Sequence, residues 1–124
     1  MSSSFDGVRY LELAEELAGR REEACKRSAV SRAYYCVFHH ARKLVEREGF
    51  AIPRMGRAHD EVWDVLDAFG KQRTVIAHAG VTLRILRRAA DYERVFGGLD
   101  LSTARAISLA RRTMKLLEAE LRSP

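Results

Sequence analysis

The sequence contains only two prolines and two cysteines, and its uninterrupted apolar runs are short. A membrane-spanning helix needs about 20 apolar residues, so no span is expected. The first six residues lack the basic and apolar regions of a secretory signal. A glycine-rich phosphate loop, a Cys-x-x-Cys pair and an ordered Ser/His/Asp set are also missing, so the enzyme classes that depend on them have no support. These absences favour a soluble, cytoplasmic protein.

The two cysteines, Cys25 and Cys36, are expected on one helix. At about 1.5 Å of rise per residue their α-carbons lie roughly 16 Å apart, whereas a disulfide requires less than about 7 Å. The thiols therefore cannot pair within the chain. Reduced cysteines indicate a reducing compartment.

Charge is abundant, with 22 basic and 17 acidic side chains among 124 residues and a net charge of +5. A basic surplus suits a polyanionic partner such as RNA, although many small basic proteins bind no nucleic acid. The length and the 47% apolar content are typical of one globular domain spanning residues 1–124.

Helical periodicity runs through the chain, with interior breaks near Pro53 and at Gly97-Gly98. The apolar spacing predicts helices over about 6–20, 21–48, 56–69 and 73–96, and a last helix from 100 or 102 onward. Such helices joined by short loops predict an all-α, up-and-down bundle of four or five helices. Asp100 or Ser102 is expected to cap the last helix, and Gly80 is expected to delay or kink the fourth.

The same periodicity assigns individual side chains to the interior. Trp63 and Phe69 are expected inward on the third helix, and Ala104 on the apolar seam of the last helix. His40 is expected against a neighbouring helix and His78 beside the core, both in structural roles.

A polar stripe runs along the second helix. At about 100° per residue, Arg32, Tyr35 and His39 share one face, opposite Val30 and Val37. An arginine matches the geometry of phosphate, a histidine can move a proton near neutral pH, and a tyrosine can stack on a base. These groups are sufficient for metal-free RNA cleavage. Such a stripe is also typical of a solvated face or of an interface with another helix.

Three blocks of the sequence resemble one family. Residues 31–39, reading S-R-A-Y-Y-C-V-F-H, resemble the S-R-A-Y-Y-x-x-F-H signature of small prokaryotic HEPN-domain proteins. Residues 58–62 resemble the histidine-containing start of that family's third helix, and residues 87–92 resemble its R-x-x-A-D-Y element. The likeness covers about residues 8–115.

The resemblance implies a homodimeric bundle, commonly paired with a small nucleotidyltransferase-like protein in toxin–antitoxin or defence modules. It also implies a metal-independent ribonuclease whose arginine and histidine meet at the dimer cleft, and these map onto Arg32 and His39. Active HEPN nucleases usually carry a polar residue directly after the arginine, where this chain has Ala33. A non-catalytic nucleotide- or RNA-binding module that docks a nucleotidyltransferase therefore stays open.

The fourth helix carries a basic run that is either a solvated face or a phosphate-binding surface. Asp91 is expected to pair with Arg87 or Arg88, or to orient Arg32 or Tyr92. The predicted substrate-binding residues are Tyr35, Arg84, Arg88, Asp91 and Tyr92. His59 and the aspartates after it do not have the spacing of a known metal site, so no metal or cofactor is predicted.

Overall fold

The computed structural model describes residues 7–54 and 56–123, and there the chain forms five α-helices and no strand. The helices are α1 (Gly7–Ala18), α2 (Glu23–Arg47), α3 (Ala58–Asp67), α4 (Lys71–Tyr92) and α5 (Leu99–Arg122). The prediction of an all-α helical bundle is confirmed. No helix of the described ranges is long and apolar enough to cross a bilayer.

The second helix is the central one, because α2 packs against each of the other four. Its buried face is the one that the 3.6-residue period predicts. That predicted face consists of Val30, Ala33, Tyr34, Val37, Ala41, Leu44 and Val45, and all of them are buried. No side chain caps the N-terminus of α2, so this helix draws its stability from tertiary packing of one face.

Two arginines of α2 bind the C-terminal ends of other helices. Arg27 donates hydrogen bonds to carbonyls at the end of α4, and Arg47 does the same at the end of α5. The accepting carbonyls are those of Ala90 (3.0 Å) and Glu93 (2.6 Å) for Arg27, and of Glu120 (3.1 Å), Leu121 (2.9 Å) and Ser123 (3.0 Å) for Arg47. The last carbonyls of a helix lack partners within it, and a cation there also interacts favourably with the helix dipole. The central helix therefore helps to fix where α4 and α5 end.

The predicted later start of the fourth helix at Gly80 is wrong, since α4 begins at Lys71 and continues through Gly80 to Tyr92. A β-carbon at Gly80 would lie 2.5 Å from atoms of the Trp63 ring. Glycine is therefore needed for the close approach of α3 to the backbone of α4. Trp63 is buried, as predicted.

The predicted cap of the last helix is also wrong. Helix α5 begins at Leu99 and follows Gly98, whose φ of 68° lies in the left-handed region, and no side chain makes a capping hydrogen bond. Asp100 lies in the first turn and pairs instead with Lys26 of α2. An acidic residue in this turn still interacts favourably with the N-terminal end of the helix dipole.

Three side chains predicted near the core are exposed. Phe69 lies beyond the end of α3 and packs edge-on against Phe50, with ring centroids 5.5 Å apart. Ala104 is exposed on α5, whose buried face is shifted to Thr103 and its helical neighbours. The side chain of His78 is 73% exposed and its Nε2 lies 3.4 Å from a carboxylate oxygen of Asp67.

The predicted position of His40 against a neighbouring helix is confirmed, and so is the absence of a bond between the two cysteines. The His40 ring lies directly against Gly7 of α1, where an added β-carbon would overlap it. Its Nδ1 lies 2.9 Å from the carbonyl oxygen of Cys36, to which it donates. Cys25 and Cys36 form no disulfide with each other, and Sγ of Cys36 donates to the carbonyl oxygen of Gly7 at 3.0 Å.

Candidate functional site

Aromatic and imidazole rings gather where α2, α3 and α4 meet, and we refer to this group as the ring cluster. Its members are Tyr34, Tyr35, Phe38 and His39 of α2, and His59 and Trp63 of α3. The α2 members extend from the core to the surface, because successive helix positions differ by about 100°. Tyr34 and Phe38 are buried, whereas Tyr35 and His39 are half-buried.

Tyr35 occupies the middle of the ring cluster. Its ring centroid lies 6.1 Å from that of His39 and 6.1 Å from that of His59. The Arg87 guanidinium carbon of α4 lies 5.3 Å from the Tyr35 centroid, within reach of a cation–π interaction. The prediction that this stripe faces away from the core is wrong for Tyr35, which packs against the core.

His39, the predicted catalytic base, is half-buried beside Tyr35 and Phe38. Burial lowers the pKa of His39 below the usual 6.5, and the neighbouring Arg42 and His40 lower it further. A histidine with a lowered pKa is mostly neutral at pH 7, so its imidazole can accept a proton.

Arg32, the predicted catalytic cation, lies one helical turn before Tyr35 and is half-buried. Its Nε is shielded from solvent and has no hydrogen-bond partner in the part of the chain that the structure describes. A shielded N–H without an acceptor costs free energy.

His59 stands in the first turn of α3 and was not predicted as a site residue. Its Nδ1 lies 2.5 Å from the Tyr34 hydroxyl oxygen, which is also 3.4 Å from Nε1 of Trp63. Burial, followed by Arg84 and Arg87, lowers the pKa of His59 to about 4, although Asp60 acts in the opposite direction. Burial raises the pKa of Tyr34 to about 12.

Two arginines of α4 border the ring cluster. Arg84 pairs with Asp60 at the start of α3, with 2.5 Å between nitrogen and oxygen. Arg87 pairs with Asp91 at 3.3 Å, which confirms one of the predicted alternatives for Asp91. The Nε atoms of both arginines are shielded from solvent and have no hydrogen-bond partner within the described ranges. Arg87 is a second residue that the sequence did not assign to the site.

The other predicted substrate-binding residues lie on a neighbouring face of α4. Arg88 and Tyr92 are exposed, and Ile85 and Ala89 join them in lining a shallow depression of about 450 Å³. The structure therefore divides the predicted residues of α4. Arg84 and Asp91 lie near the ring cluster, whereas Arg88 and Tyr92 lie on the outer face of the helix.

No group of three or more histidine, cysteine, aspartate or glutamate side chains suited to a metal ion occurs among the described residues. The groups that the ring cluster and its two arginines offer are cationic, imidazole and aromatic. Such groups bind anions and planar bases.

Comparison of the chain with protein-family models, with curated proteins and with solved structures gives no match. The likeness to HEPN-domain proteins therefore rests on the three sequence blocks. In the structure these blocks lie together. Residues 31–39 supply Tyr35 and His39, and residues 58–62 supply His59. Residues 87–92 supply Arg87, whose guanidinium lies over the Tyr35 ring.

Proposed function

We propose that the chain is a HEPN-type, metal-independent endoribonuclease that acts as a homodimer in a toxin–antitoxin or defence module. The observation that carries this proposal is the convergence of three separate sequence blocks on the ring cluster. A bundle core needs only apolar side chains at such a junction. This junction instead combines neutral imidazoles, arginines and a half-buried tyrosine.

In the proposed reaction His39 acts as the general base and Arg32 as the stabilising cation. The neutral imidazole of His39 takes the proton of a ribose 2′-hydroxyl, and the 2′-oxygen then forms a bond to the adjacent phosphorus. The bond from phosphorus to the 5′-oxygen breaks, leaving a 2′,3′-cyclic phosphate, and the 5′-oxygen takes a proton from solvent. Arg32 stabilises the negative charge on the non-bridging oxygens. Tyr35 offers an aromatic surface on which a base can stack.

Support for the homodimer comes from the outer face of α4. Val81, Ile85 and Tyr92 are large apolar residues that are all exposed there, with Arg88 on the same stripe. Contiguous apolar surface on the outside of a helix is typical of an interaction site. At about 100° per residue, this stripe adjoins the face of α4 that carries Arg84. A second copy docked on the stripe would therefore lie beside the ring cluster.

The direct test is cleavage of RNA by the purified protein in excess EDTA. We expect cleavage to persist without metal and to fall about 10²- to 10⁴-fold in His39→Ala, because a general base contributes a factor of that size. Arg32→Ala should lose about 10²-fold or more. His78→Ala is the matched control, since His78 is exposed on α4 and pairs with Asp67. Full activity of His39→Ala, or loss of cleavage in EDTA, would contradict the proposal.

A second function is favoured by the ion pairs at the site. Arg84 and Arg87 are each already engaged by an aspartate, which reduces the charge available to a reacting phosphate. This suits a non-catalytic nucleotide- or RNA-binding module that docks a nucleotidyltransferase partner. Saturable binding of a nucleotide or of such a partner, without any cleavage, would indicate this function.

A further inference from the structure

Three buried or half-buried side chains form a hydrogen-bond chain from the core to the site. Nε1 of Trp63 lies 3.4 Å from the hydroxyl oxygen of Tyr34, and that oxygen lies 2.5 Å from Nδ1 of His59. An indole N–H can only donate, so the tyrosine oxygen accepts from Trp63. We infer that the hydroxyl hydrogen of Tyr34 is donated to Nδ1 of His59, because Nδ1 is its near neighbour at 2.5 Å. In this arrangement the neutral His59 ring carries its own hydrogen on Nε2.

The surroundings of His59 keep this ring neutral. Arg84 and Arg87 of α4 and His39 of α2 disfavour its protonation, Asp60 of α3 favours it, and burial outweighs each of them in lowering the pKa to about 4. At neutral pH the ring therefore neither gains nor loses a proton.

The orientation of the His59 ring is set before any ligand arrives. Phe38 stacks on it, with centroids 4.1 Å apart and an interplanar angle of 20°, and Tyr35 packs edge-on at 6.1 Å. The close approach of Trp63 to Gly80 fixes the far end of the hydrogen-bond chain. Nδ1 is engaged by Tyr34, which leaves Nε2 of this half-buried ring for a ligand.

We propose that His59 contacts the RNA substrate as a neutral donor, its Nε2–H bonding a non-bridging phosphate oxygen, with Tyr34 as the positioning residue that keeps the hydrogen on Nε2. The choice of ligand rests on the function proposed above. A donor that stays neutral can stabilise an anionic oxygen without exchanging its proton. The two histidines of the site then have different tasks, since His39 moves a proton and His59 holds the phosphate.

Two substitutions of His59 separate a donor role from a purely structural one. The amide nitrogen of glutamine reaches the position of Nε2, whereas that of asparagine reaches the position of Nδ1. The probe is a 2′-O-methyl oligoribonucleotide, which has phosphates but no free 2′-hydroxyl and so cannot be cleaved. At one fixed salt concentration we expect His59→Asn to weaken binding about tenfold or more, and His59→Gln to stay within about threefold of the wild type.

Nitrogen NMR of the unsubstituted protein provides a second, independent readout. Long-range correlations of the His59 ring should show hydrogen on Nε2 and none on Nδ1, and Tyr34→Phe should remove this preference. A hydrogen on Nδ1 in the wild type would overturn the inference whether or not the variants fold. Equal binding by the two His59 variants, or no binding by the wild type, would overturn it as well.

The test distinguishes this inference from the proposed ribonuclease. Binding of the methylated strand with the expected variant pattern, but no cleavage of the unmodified strand, would refute the ribonuclease and leave the donor role of His59 intact. Cleavage that depends on His39 but is unchanged in His59→Asn would refute the donor role alone.

Discussion

The two histidines of the ring cluster differ in how strongly their surroundings oppose protonation. Burial lowers the pKa of both. Arg42 and His40 lower that of His39 further, whereas Arg84 and Arg87 act on His59, whose pKa falls to about 4. In the unfolded chain each imidazole returns to about 6.5. The folded protein therefore binds fewer protons than the unfolded chain between these values, and acidification across that window favours unfolding.

The pH dependence of stability should report His59 directly. Because its folded pKa is depressed, its contribution is present above about pH 6.5 and is lost as the pH falls toward about 4. Between pH 7.5 and 4.5 we expect the free energy of unfolding to fall by roughly 2 kcal/mol more in the wild type than in His59→Gln. Urea unfolding curves measure this difference. The exposed His78→Gln serves as control and should follow the wild type. An identical loss in His59→Gln and the wild type would contradict the shift.

The sequence predicted the α2 side of the site but not the α3 side. Arg32, Tyr35 and His39 lie on one helix, so the 3.6-residue period alone places them on one face. His59 is 25 residues beyond Tyr34, its hydrogen-bond partner, and their contact depends on how α3 packs against α2. Block 58–62 contained the signal, because it resembled a family element whose histidine had no assigned task.

At the scale of the helices, the packing of α3 on α4 depends on one glycine. The ring of Trp63 lies against the backbone of α4 at Gly80, where a β-carbon would be 2.5 Å from two ring atoms and 2.7 Å from a third. Helix propensity disfavours glycine inside α4 by about 1 kcal/mol. The close packing of a buried tryptophan offsets this cost.

Gly80→Ala should therefore destabilise the protein despite its better helix propensity. Overpacking costs about 1–3 kcal/mol, and a β-carbon 2.5 Å from a buried ring belongs at the upper end of that range. Since the propensity gain is about 1 kcal/mol, we expect a net loss of about 2 kcal/mol in guanidinium unfolding. Gly97→Ala is the control, because an added β-carbon there meets nothing within 4 Å. Its stability should stay within about 0.5 kcal/mol of the wild type. A Gly80→Ala protein as stable as the wild type would contradict this account.

Helix ends were predicted less well than helix faces, for a physical reason. Periodicity shows which residues turn inward, but α4 ends at Tyr92 rather than near Phe96, and Arg27 of another helix binds the carbonyls there. Similarly, α5 begins after a left-handed Gly98 instead of at a polar cap. Such ends depend on tertiary contacts and backbone conformation, which a single-helix pattern does not contain.

At the scale of the whole molecule, the exposed stripe of Val81, Ile85 and Tyr92 on α4 is the surface that supports the proposed homodimer. A lysine at its centre would have to be desolvated in an apolar interface, which costs free energy without a partner charge. We therefore expect Ile85→Lys to shift the protein from dimer to monomer in sedimentation equilibrium. Leu101→Lys, an equally apolar and exposed position on α5, should leave the dimer intact. A monomeric wild type would exclude the homodimer. An Ile85→Lys protein that stays dimeric would place the interface elsewhere.

Helix α2 carries the centre of the core and half of the ring cluster, and the two share Tyr34 and Phe38. One inserted or deleted residue before Arg32 would rotate the following side chains by about 100° relative to the preceding turns. The buried residues and the site residues that follow would then both be misplaced. Arg47 would also no longer lie against the carbonyls at the end of α5. Natural variants of this protein should therefore tolerate length changes in the connecting segments and none inside this helix.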